Sequence, residues 1–172
     1  MTNEHPFIYL LQQYEQLSNK HDVDGCVALF RPDGMIIMGG ETYQGEKAIR
    51  DAHEYDEASH TLVKFSDFAV EAENNLVRCA FWNEHELSRV LKTGGMAGQA
   101  EFTFEGNQIQ KFNILPPEDA ERQRVMGKVA PAFQWLRENH PDAVAKWNGF
   151  DRAAGEAITN LAEIWQNHLI DG

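Results

Sequence analysis

Basic residues are scarce in this chain. Fifteen lysines and arginines stand against 27 aspartates and glutamates, for a formal net charge of -12. General nucleic-acid binding draws on a basic surface, so that class of partner is excluded. The acidity reads as a solvated surface that favours solubility. Cysteine is scarcer still. Cys26 and Cys79 each lie in an apolar segment, which fits buried free thiols rather than a disulfide or a metal pair. HxxxH, CxxC and HExxH spacings are missing, so no metal is expected. The glycine pairs Gly39-Gly40 and Gly94-Gly95 come without a GxGxxG or P-loop pattern, and no serine has the flanking glycines of a nucleophile elbow. No apolar run approaches the ~18 residues of a membrane span, and the N-terminus lacks the charged and apolar regions of a secretory signal. Neither a membrane nor export is expected, and a cytoplasmic location is.

What is present is enough apolar material for a sizeable core, 42% of the 172 residues, in a chain whose length suits one domain plus an extension. Phe7, Leu10, Leu11, Tyr14 and Leu17 recur at helical spacing, with Pro6 at a position suited to a first turn. That helix ends near Lys20. Asp22 is placed to cap a second, short helix with Cys26, Val27 and Phe30 on one face. Arg31-Pro32-Asp33-Gly34 stops it. Met35 to Met38 reads as a short strand turned by Gly39-Gly40, and Gly45 opens a third helix with Ile49, Ala52 and His53 on one side. Four further strands follow. In the first, Val63 and Phe65 share one phase and Phe68 and Val70 the other, which calls for a β-bulge near Ser66-Asp67. The second runs from Leu76 toward Leu91. Met96 to Phe104 and Gln108 to Leu115 complete an antiparallel meander. After Pro116-Pro117 the chain turns helical, with a helix start or a kink expected at Pro131, a break at His140-Pro141, and a last helix from about Asp151.

The run carrying Tyr14, Asp22, Asp24, Gly25, Ala28, Leu29, Phe30, Asp33, Gly34, Gly45, Ala48 and Ile49 resembles the opening of the cone-shaped α+β families related to nuclear transport factor 2, ketosteroid isomerase and the SnoaL-like cyclases. The resemblance covers roughly the first two thirds of the chain. It implies an α+β fold in which a curved antiparallel sheet wraps the N-terminal helices (cystatin-like), over residues 1–116. Residues 117–172 then form a helical extension, either packed on the outside or capping the mouth of the pocket.

The same resemblance nominates residues. Tyr14 is placed like the isomerase tyrosine that donates a hydrogen bond to an enolate oxygen. The isomerase base falls at Met38 and its second acid near Ala100, so steroid isomerisation by that route is not expected. His60 and His85 are placed like the histidine pair of scytalone dehydratase and SnoaL-like relatives, which shuttles protons in a pocket. Histidine suits that work because it titrates near neutral pH. The expectation is that the bulge brings His60 and His85 into phase on one cavity. His53, Met38 and Phe102 are expected to supply pocket wall.

The expected function is therefore that of a SnoaL-like small-molecule enzyme: acid-base proton transfer on an apolar, carbonyl-containing substrate, of dehydratase, isomerase or cyclase type and hence a lyase or an isomerase, without a cofactor. The rivals are a non-catalytic binding protein for a small apolar ligand, and an assembly domain resembling the small subunits of ring-hydroxylating dioxygenases. A homodimer is expected through the outer sheet face, with Phe112 and Ile114 or their neighbours as outward candidates and the C-terminal helices as further contacts.

Overall fold

A computed structural model describes residues 5–171, the side chain of Asp171 excepted. Helix α1 spans Pro6–Asn19, capped by the His5 ring, which accepts from the Phe7 amide, with proline where a donor is dispensable. Helix α2 spans Val23–Ala28. The Asp22 carboxylate accepts from the Gly25 amide at 2.9 Å, as the sequence leads one to expect. Strand β1 covers Phe30–Met38 and β2 covers Glu41–Gln44, joined at Gly39-Gly40, where both residues have positive φ. Helix α3 spans Glu46–Ala58, followed by β3, Leu62–Glu71, and β4, Leu76–Glu84. A short helix α4, Glu86–Val90, leads to β5, Met96–Glu105, and β6, Gln108–Ile114. Helices α5, Asp119–Asn139, α6, Pro141–Ala145, and α7, Arg152–Asp171, complete the chain.

The six strands form one sheet in the order β2-β1-β6-β5-β4-β3. The expected meander β3 to β6 is antiparallel throughout. The sheet is nevertheless mixed, because β1 lies parallel to β6, with Ile36 opposite Phe112. Arg31-Pro32-Asp33-Gly34 does not stop the helix as expected, since α2 ends at Ala28 and Phe30 already belongs to β1. The segment forms an irregular excursion within β1, between the pairs Phe30–Ile109 and Met35–Lys111. Pro32 cannot donate to a ladder and so belongs in such an excursion. Gly34 fits it because a Cβ there would sit 2.9 Å from the Arg31 carbonyl oxygen.

Inward-facing residues of the strands meet α1, α2 and α3 in one core. Tyr14, Phe30, Phe65, Phe81, Phe102 and Phe112 are all buried in it, and the Phe102 and Phe112 rings stack with centroids 4.4 Å apart. Phe112 is thus an inside residue, and Ile114 on the same phase also turns inward onto the cavity described below. The dimer expectation loses both of its named outward residues. The outer face instead carries an Arg78 that bridges Glu71 and Glu101. Cys26 and Cys79 are free and buried, as expected.

The C-terminal helices build a second core with Tyr55 of α3 and Leu87 of α4, from Phe133, Leu136, Ala154, Ile158 and Leu161. Helix α7 lies directly against α3. Gly155 permits this, since a Cβ there would meet the Tyr55 carbonyl oxygen at 2.6 Å and the Ala58 methyl at 2.8 Å. Thr159 donates to the Ala58 carbonyl at 2.8 Å, and Arg152 pairs with Glu54 and Glu57. Helix α5 is pinned to the sheet end: Arg124 donates to the Gly95 carbonyl at 2.7 Å, and Glu121 accepts from the Ala97 amide at 2.8 Å. The helix start expected at Pro131 does not occur, since Pro131 lies inside α5. Pro131 and Gly127, whose carbonyl loses its partner, are both exposed, so water can take the freed oxygen and the helix runs on.

Candidate functional site

Inside the cone lies a cavity of about 250 Å³. Helix α1 presents Tyr14 to it. Helix α3 presents Ala52, His53, Tyr55 and Asp56, which follow one another at the spacing of a single helix face. Met38 and Ile36 come from β1, Phe112 and Ile114 from β6. Thr61 comes from just before β3, Val63 from its start, and Phe81 and Asn83 from β4, with His85 just beyond. Trp147, Gly149 and Phe150, from the link between α6 and α7, close the mouth. The roof is anchored because Phe150 packs against Tyr43 and Tyr55, with ring centroids 5.1 and 4.6 Å away.

Of the residues nominated from sequence, Tyr14, Met38, His53 and His85 line this cavity. Phe102 does not. It is fully buried in the core, in edge contact with the Tyr14 ring at 6.2 Å. His60 does not either. Its side chain is 58% exposed, and its Nδ1 lies 3.4 Å from Glu86 Oε2 on the outer surface. The reason is the strand register. The bulge appears where expected, with Asp67 at φ 54° between the pairs Ser66–Ala80 and Ala69–Arg78. However, the hairpin opens on the pair Glu71–Leu76, so its centre falls between residues 73 and 74 instead of on Asn74. That half-step and the bulge each move the register by one residue. Together they leave Leu62 opposite Glu84, which puts Thr61 and His85 in phase on the inner face and His60 with Glu86 on the outer one.

Sequence reasoning missed Asp56, Thr61, Asn83, Trp147 and Phe150. Asp56 was legible, standing three residues after His53 and four after Ala52 on the apolar face of α3, but masked by the acidic residues around it. Trp147 and Phe150 sit outside any regular element, where periodicity carries no signal.

The polar groups differ in state. Burial is the main cause that raises the Tyr14 phenol well above its usual range, with Cys26 and the Asp56 carboxylate adding to it, so the hydroxyl stays a neutral donor. Burial likewise pushes Tyr55 up to about 12. His85 is driven down to about 4, by burial first and by the Arg89 charge second. Its Nδ1 accepts from the Ser88 amide at 3.2 Å and caps α4, an arrangement that assigns the proton to Nε2. At neutral pH His85 is therefore a hydrogen-bond donor and not a proton carrier. His53 is buried, its Nδ1 lies 3.8 Å from Asp56 Oδ2, and its Nε2 has no hydrogen-bond partner. A buried polar atom left unpaired costs roughly 1–3 kcal/mol. Among the described residues, no three His, Cys, Asp or Glu side chains come together as metal ligands. Nor is any helix among them long and apolar enough to cross a membrane.

No family model and no curated protein sequence matches the chain. Solved structures do. The epoxide hydrolase/cyclase-like enzyme SalBIII, described in pyran ring formation in the polyether salinomycin, is 16% identical with a TM-score of 0.59, over 70% of this chain and 97% of its own. A Mycobacterium tuberculosis protein in complex with estradiol-17beta-hemisuccinate is 16% identical with a TM-score of 0.55, over 67% and 97%. A nuclear transport factor 2-like protein of Cytophaga hutchinsonii is 10% identical with a TM-score of 0.53, over 67% and 93%.

Proposed function

We propose that this chain, which has the α+β cone fold of the SnoaL-like and nuclear transport factor 2-like proteins, binds a small, largely apolar carbonyl compound inside the cone and transfers a proton on it. The observation that carries this reading is His53: a buried imidazole with one nitrogen beside Asp56 and the other unpartnered, on the wall of an apolar cavity that Tyr14 also lines. In the step proposed, the C–H bond next to the carbonyl breaks and its proton passes to His53. The electron pair moves onto the carbonyl oxygen, which the neutral Tyr14 hydroxyl stabilises. Asp56 balances the imidazolium that forms, and His85 Nε2–H offers a second donor. Return of the proton to the same or another carbon regenerates the imidazole. Positioned acid-base groups of this kind contribute roughly 10²–10⁴-fold to rate.

The cyclase-like and steroid-bound neighbours support a cone that accepts apolar, oxygen-bearing molecules. The test is exchange of α-hydrogens for deuterium on hexanone, followed by mass spectrometry. Exchange above the buffer rate is expected, falling by about 100-fold or more in His53→Phe. Exchange no faster than buffer, or undiminished in a folded His53→Phe, overturns the catalytic reading. Saturable ketone binding without exchange would make the chain a carrier.

A further inference from the structure

A second cavity, of about 220 Å³, lies beyond the first. The two share Asn83, His85 and Trp147 among their lining residues, so these three residues stand between them. Each space alone falls short of the ~300 Å³ at the lower end for sites of drug-sized ligands, whereas the two joined exceed it. Their linings differ. The cone chamber holds Tyr14, His53, Asp56 and Thr61. The far chamber is walled by Leu87, Leu91, Val125, Val129, Phe133 and Ile158, with Met96 and Met126 at its edge. Methionine adapts to irregular apolar shapes, which suits a wall that meets hydrocarbon. Four of these residues come from α5 and one from α7, that is, from the part of the chain that follows the cone.

We propose that the two chambers form one elongated site, and that the ligand is a long molecule with its carbonyl in the cone and a hydrocarbon tail in the far chamber. His85 and Asn83 stand at the waist between them. His85 is fixed there by its bond to the α4 N-terminus. Trp147 borders both spaces, packs on Phe133 with ring centroids 5.2 Å apart, and forms the third side of the waist. The placement of the carbonyl rests on the proton-transfer reading above; the length of the ligand rests on the shared partition alone.

The experiment uses methyl ketones from hexanone to tetradecanone, with binding read by calorimetry and by tryptophan fluorescence. Each methylene taken out of water is worth roughly three- to fourfold in affinity. Affinity is expected to climb at least ~100-fold from hexanone to dodecanone. Val129→Phe, which fills the far chamber, is expected to lower the ratio of dodecanone to hexanone affinity at least tenfold. Met126→Phe, at a half-exposed position on the same wall, gives a second variant should the first fail to fold. An affinity that levels off at the shortest ketones, a length dependence that both variants leave intact, or no binding by any member overturns the proposal. Because binding is the readout, a site that binds long ketones without exchanging their hydrogens would keep this inference and remove only the proton-transfer reading.

Discussion

The ring of His53 stands nearly edge-on to that of Tyr14, with centroids 5.6 Å apart and planes at 71°. A buried imidazole on α3 and a neutral donor on α1 are thereby held against each other by ring packing. Tyr14 also contacts Phe30, Phe65, Phe102 and Phe112, so its ring has little freedom to leave.

This cage makes the hydroxyl separable from the ring. Tyr14→Phe keeps every aromatic contact and removes one donor. The expected result is a fold within about 1 kcal/mol of the parent by denaturant titration. Exchange of ketone hydrogens should fall by roughly 10²–10³-fold, the cost typical of losing one oxyanion donor. An unchanged exchange rate would show that the hydroxyl serves packing only.

His60 offers the opposite case. Its imidazole faces solvent beside Glu86, and its loss removes an exposed polar contact worth about 0–1 kcal/mol. His60→Ala is expected to leave hydrogen exchange within about twofold of the parent. A drop as large as that of His53→Phe would place His60 in the chemistry after all.

Acid should destabilise the protein through His85. Its pKa in the folded state is about 4, against about 6.5 when unfolded, so the unfolded chain takes up the proton first. Stability is therefore complete above pH 6.5 and is lost as pH falls from there toward 4, by at most about 3 kcal/mol. His85→Asn keeps a side chain able to cap α4 but cannot titrate. Its unfolding free energy, measured at pH 7, 5.5 and 4.5, should change less over that range than the parent's. Parallel curves would assign the acid sensitivity elsewhere.

Gly155 is the tightest point between α3 and α7. Gly155→Ala sets a methyl against the Tyr55 carbonyl and the Ala58 methyl, neither of which is the end of a flexible chain. A loss of about 1–3 kcal/mol is expected from such overpacking, visible as a lowered thermal midpoint. Helical propensity alone would predict a gain of up to about 1 kcal/mol, so the sign of the shift decides between the two effects.

The cone was legible because its signals are local. Asp22 announces the start of α2, the alternation of Val63, Phe65, Phe68 and Val70 announces the bulge, and the inward stripe of α3 carries His53 into the cavity. What escaped depends on long-range counting. One half-step at the hairpin centre sent His60 outward, and no pattern in β1 announces its parallel pairing with β6. Phe112 and Ile114 alternate just as an outward pair would, and only the neighbouring strand decides which face is inside. The roof residues Trp147 and Phe150 belong to a link without periodicity, so their place over the cavity follows only from where α7 docks.

That docking has a consequence for the order of events during synthesis. Domains fold largely as the chain emerges, at about 5–20 residues per second. The strands and first three helices appear before α5 and α7, yet Tyr55 and Leu87 are buried in the core those later helices build. A ribosome-bound chain thus passes through an interval in which the cone is complete but open, with an apolar flank uncovered. The link ahead of α7 is the segment that shuts the vessel.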